Sequence, residues 1–81
     1  MTDNLSKYNN SFIESLSVSK EKINKELEYN DIPEWDSIGH MTLISSLEEN
    51  FDISFETDDI IDFSSYKKGI ELLGSKYEVK F

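Results

Sequence analysis

From Ser37 to Phe51 the chain runs without a proline and with one glycine, Gly39, directly after Asp36, a good helix N-cap. With about 100° of rotation per residue and Ile38 at zero, Leu43, Leu47, Phe51 and Ile44 fall between about 140° and 240°. That single apolar stripe has to find its core on other helices, because strand signals are almost absent elsewhere. A first helix is predicted over Leu5 to Val18, with Leu5, Tyr8, Phe12, Ile13 and Leu16 at three- and four-residue spacing. Lys25 to Trp35 reads as a long ordered loop anchored by Leu27, Tyr29 and Ile32, since Pro33 biases Ile32 away from helical angles. Asn50 and Asp52 favour a stop, and Ile53-Ser54-Phe55 links to a short helix around Asp58 to Asp62 with Thr57 as its N-cap. Ser64 or Ser65 caps a last helix that turns Tyr66, Ile70 and Leu73 inward and is closed by Gly74. Ser75 to Phe81 either frays or lies along the surface. The expectation is an all-α bundle of three longer helices and one short third helix, a single domain over residues 1–81 with its core at about 5–74 and a tail at 75–81.

Composition narrows the function. The 81 residues hold 17 acids against eight lysines and no arginine, a net charge of −9. Sequence-independent phosphate binding depends on Lys and Arg, so a nucleic-acid ligand is disfavoured. Twelve acids lie between Glu26 and Asp62, a span with no lysine. Such a field repels nucleic acid and steers toward basic protein surfaces. Without cysteine there is no disulfide framework or thiolate cluster, and one histidine argues against an imidazole zinc site. No apolar run approaches the roughly 20 residues of a membrane span, and MTDNLSKYNN lacks the apolar stretch of a secretory signal. A monomeric, cytoplasmic protein is the expectation.

The outer side of the second helix is the candidate site. Ser37, at about 260° on the wheel, is flanked by Ile38 and Met41, both off the core stripe, with Glu48 and Glu49 extending the surface as charge. An apolar centre with a charged rim suits a partner surface. A hydroxyl just inside a helix N-terminus also suits a phosphate ester, because free N–H groups and the helix dipole favour negative charge there.

The run Trp35-Asp36-Ser37-Ile38-Gly39-His40-Met41, continuing Thr42-Leu43-Ile44 and Leu47-Glu48-Glu49-Asn50-Phe51-Asp52-Ile53, resembles the acyl/peptidyl carrier protein family. The family's Asp-Ser-Leu triplet appears as Asp36-Ser37-Ile38, and the likeness continues through Asp58-Asp59-Ile60, Phe63-Ser64-Ser65 and the Tyr66 to Leu73 segment. The resemblance implies an acyl-carrier-like four-helix bundle whose Ser37 is esterified by 4′-phosphopantetheine, delivered from coenzyme A by a Mg²⁺-dependent phosphopantetheinyl transferase. The arm's thiol would hold acyl or aminoacyl groups as thioesters for loading and transfer enzymes with basic docking surfaces. The carrier itself would be no enzyme. Asp36 would belong to the attachment site, and Ile38, Met41, Glu48, Glu49, Asp58 and Asp59 to the partner surface. Thr42, where many fatty-acid carriers have an acid, and Gly39-His40 are more similar to discrete carriers of specialised pathways.

Three alternatives arise from the residues. Ser37 and His40, three apart, could touch as a nucleophile and base, although no orienting third group or oxyanion arrangement accompanies them. Asp52 to Asp58 alternates acids like a calcium loop, but Thr57 stands where such a loop requires glycine and Phe63 where it requires the bidentate glutamate. An unmodified acidic helical adaptor of the same fold is the third.

Overall fold

The computed structural model describes residues 3–81, and these form four α-helices and no strand. They are α1 (Asn4–Leu16), α2 (Ser37–Phe51), α3 (Thr57–Asp62) and α4 (Tyr66–Lys76), with one 3₁₀ turn at Lys20–Lys22 that the sequence did not signal. The small helical bundle with a short third helix is therefore present.

Local chemistry sets most of the boundaries. Asp3 caps α1 by accepting from the Ser6 N–H, and the Ser6 hydroxyl donates to the other carboxylate oxygen at 2.8 Å. α1 stops at Leu16, short of the predicted Val18, because Ser17 adopts left-handed angles (φ 55°). Asp52 ends α2 in the same way (φ 54°), as a short polar side chain tolerates. Ser65 is the cap of α4, its Oγ accepting from the Lys68 N–H at 3.0 Å. Thr57 is not a cap: it is the first residue of α3, and Glu56 holds the cap position without a side-chain bond. The chain is fixed there instead by the Glu56 N–H donating to the Tyr77 hydroxyl at 3.1 Å.

Gly74 does not close α4. The helix continues to Lys76, and the chain leaves it where Glu78 turns left-handed (φ 59°) and the Val79 N–H reaches back to Leu73 O at 2.9 Å. The tail accordingly lies against the bundle rather than fraying. Val79 is buried, Lys80 O accepts from the Asn4 side chain at 2.9 Å, and the Phe81 ring meets Tyr8 at 5.6 Å and Phe51 at 6.4 Å.

The core joins the α2 stripe (Leu43, Ile44, Leu47) to Tyr8, Phe12 and Leu16 of α1 and to Phe63, Leu72 and Leu73. Its largest fully buried side chain, Trp35, comes from the loop. Phe12 and Trp35 meet edge to face at 5.2 Å, a favoured aromatic geometry. Burying each such side chain contributes about 1.5–3 kcal/mol. Leu5, part of the apolar spacing of α1, is 42% exposed and lines a groove with Ile70 and Phe81. Of the loop anchors, Leu27 is buried and Tyr29 and Ile32 are half-buried. A single antiparallel bridge, Glu28 to Ser65, ties that loop to the start of α4.

Candidate functional site

Asp36 builds the entrance to α2. Its carboxylate accepts from the Gly39 N–H at 2.9 Å and its carbonyl from the His40 N–H at 2.7 Å. That leaves the N–H groups of Ser37 and Ile38 without a partner among the described residues. Gly39 is required by close approach: a Cβ there would lie 2.2 Å from the Glu34 carbonyl oxygen, a backbone atom that cannot swing aside. The missing side chain lets the loop fold down over the first turn of α2.

Ser37 is exposed, and its hydroxyl lies 3.1 Å from that of Tyr29. Ile38 is 79% exposed and Met41 52%, as the helical wheel predicts. Ile61 of α3, 72% exposed, adds a third apolar side chain that sequence analysis passed over. The signal was there: adjacent Ile60 and Ile61 cannot both face inward from a six-residue helix. Ile61 also lines a groove of about 230 Å³ with Tyr29, His40, Ile60, Phe63 and Ser64. A larger groove of about 660 Å³ lies elsewhere, between Leu5, Ile23, Tyr66, Ile70 and Phe81, and shares no residue with this site.

His40 stacks on Trp35 at 6.1 Å and accepts the indole N–H on Nδ1 at 3.0 Å. Because indole can only donate, the ring proton sits on Nε2 and is given to Ile60 O at 2.9 Å. That carbonyl is among the orphan acceptors at the end of α3. Both imidazole nitrogens are engaged away from Ser37, so the Ser-His nucleophile reading falls. The calcium reading finds no support either, since no three acids or histidines are placed to hold a metal among the described residues.

The acids divide into two groups. Asp36, Glu49 and Asp58 are exposed and outside the one ion pair among the described residues. Glu48, expected on the partner surface, is half-buried, and its carboxylate accepts from the Phe55 N–H at 2.8 Å, pinning the link after α2. Asp59 is a clearer correction. It is buried, paired with the Lys76 ammonium at 2.6 Å and bonded by the Tyr77 hydroxyl at 2.6 Å. Hydrogen bonds from Lys76 and then Tyr77 hold its carboxyl below the usual carboxylate range, while Asp59 holds Lys76 above the usual lysine range. Asp59 therefore locks α3 to the end of α4 and offers no charge to a partner.

No helix among the described residues is long and apolar enough to cross a membrane. No family model and no curated protein matches this chain.

Proposed function

We propose that the chain is an acyl carrier protein that bears 4′-phosphopantetheine on Ser37. The observation that carries this reading is the exposed Ser37 hydroxyl at the first residue of α2, beside two N–H groups without a partner among the described residues and on the same helix as the exposed Ile38 and Met41. A phosphodiester carries negative charge, and the start of a fifteen-residue helix with spare donors accommodates it. The open position of the hydroxyl also fits the group sterically. Attachment forms the Ser37 Oγ–phosphorus bond, breaks the diphosphate bond of coenzyme A and releases adenosine 3′,5′-bisphosphate. The hydroxyl proton leaves to a base on the transferase.

When bound, the arm supplies a thiol that carries an acyl or aminoacyl group as a thioester. This chain's own residues present it: Asp36 holds the helix start open, and Ile38, Met41 and Ile61 form the apolar centre of a docking face. Glu49, Asp58 and Asp36 make its acidic rim. Electrostatic steering with a small apolar contact gives fast arrival and ready release, which a shuttle between enzymes needs.

The test is intact-mass measurement after incubation with coenzyme A, Mg²⁺ and a broad-specificity phosphopantetheinyl transferase. The expected result is one added phosphopantetheinyl group on the native chain and none on Ser37→Ala. An unchanged mass for the folded native chain overturns the reading and leaves the unmodified adaptor.

A further inference from the structure

The Ser37 hydroxyl has one side-chain partner among the described residues, the Tyr29 phenol. Either oxygen can donate in that pair. Tyr29 is held on several sides. Its N–H donates to Ser64 O at 2.9 Å, and the Tyr66 N–H answers to Leu27 O at 2.9 Å. Its ring stands edge-on to Trp35 at 6.2 Å and to His40 at 5.4 Å. Both of those rings are fixed in turn by the indole–imidazole–Ile60 chain. A phenol restrained in this way loses little further freedom when it holds a hydrogen bond.

We propose that Tyr29 is the positioning residue that fixes the root of the arm, an inference resting on Ser37 as the attachment point. Esterification removes the proton from the Ser37 oxygen, so the Tyr29 O–H becomes the only donor of the pair. Its acceptors are then the oxygens of the phosphodiester, which carries a negative charge. A hydrogen bond to an ionised acceptor is shorter and about twice as strong as a neutral one. Loading Ser37 thus tightens its link to the loop and, through the Leu27–Tyr66 and Tyr29–Ser64 bonds, to the start of α4. The root of the arm is steered toward the groove that Tyr29 shares with His40, Ile60 and Ile61.

Tyr29→Phe keeps the packed ring and removes only the phenol oxygen. The loaded native chain and the loaded variant, each verified by mass, are compared by phosphorus NMR. The expected result is a displaced phosphodiester resonance and a slower transverse relaxation in the variant, as the root of the arm gains freedom. Identical phosphorus spectra overturn the proposal even though Ser37 is loaded. A second measurement needs no variant: with the tyrosine Cζ isotope-labelled, the Tyr29 carbon should shift on loading, by more than those of Tyr8, Tyr66 and Tyr77. Should Tyr29→Phe fail to fold, this carbon decides, and an unmoved Tyr29 signal overturns the proposal. A native chain that takes up no phosphopantetheine overturns both this role and the carrier reading.

Discussion

Two glycines of one helix should respond oppositely to the same substitution. In a helix interior, alanine is favoured over glycine by about 0.5–1 kcal/mol, because glycine surrenders more backbone freedom on folding. At Gly74 nothing opposes that gain: an added Cβ would first meet Val79 O at 3.7 Å, an ordinary contact. At Gly69 the Cβ would sit 2.2 Å from the Tyr8 hydroxyl and 2.3 Å from the Phe63 ring. Comfortable carbon contacts begin at about 3.5 Å, so both rings would have to retreat by more than about 1 Å. Neither has room. Tyr8 and Phe63 are fully buried, Tyr8 is wedged 5.0 Å from both Phe12 and Tyr66, and its hydroxyl donates to Tyr66 O at 2.6 Å. Overpacking of this kind costs about 1–3 kcal/mol, and losing the Tyr8 bond about 0.5–1.5 kcal/mol more. After the helix gain is credited, Gly69→Ala should destabilise by about 0.5–4 kcal/mol while Gly74→Ala stabilises by about 0.5–1 kcal/mol. For a domain of this size each kcal/mol moves the melting midpoint by roughly 4–8 °C. Urea and thermal unfolding followed by circular dichroism would resolve the pair. If both variants shifted in the same direction, the packing of α4 against α1 described above would be wrong.

Asp59→Asn should destabilise the chain near neutrality, and the deficit should shrink in acid. Asp59 is held low, so its contribution is present above the ordinary aspartate value of about 3.9 and is lost as the pH falls through the folded value. Lys76 is held high, so its share persists until the pH rises past the lysine range. Denaturant melts of both proteins should therefore differ by a constant amount from about pH 6 to 9 and begin to converge only below about pH 4, as the pH falls toward and through the lowered folded value of Asp59; a gap that stays constant as the pH falls through that window refutes the buried pair. On α2, Leu47→Ala should cost about 2–5 kcal/mol by opening a cavity. Met41→Ala should leave the melting midpoint nearly unchanged yet slow transfer by the phosphopantetheinyl transferase, read as a lower kcat/KM. Equal kcat/KM for Met41→Ala and the native chain would remove Met41 from the docking face.

The boundaries of the second helix and most of its facing were legible. Asp36 as cap, Ser37 as first residue, Leu43, Ile44 and Leu47 inward, and Ile38 and Met41 outward all follow from interactions within one or two helical turns. Stop signals fared less well at Val18 and Gly74, because a helix end is decided by what the departing chain can bind. Here the contacts of the tail carried α4 to Lys76. Ile61 could have been read from the Ile60–Ile61 pair, whereas nothing local marked Tyr29 as the neighbour of Ser37.

The sequence by itself determined four helical segments, their order, and a hydroxyl at an exposed helix start, since periodicity and capping act over a few residues. Tertiary structure decided which acids remain free. Asp58 and Asp59 are adjacent and chemically identical, yet one faces outward and the other is buried against Lys76 and Tyr77. Glu48 and Glu49 divide in the same manner, by the arrival of the Phe55 N–H. Those partners lie between seven and eighteen residues away along the chain, and only the docking of α3, α4 and the linking segments brings them near. Which side of a helix a neighbour covers is a property of the whole packing, and no local pattern encodes it.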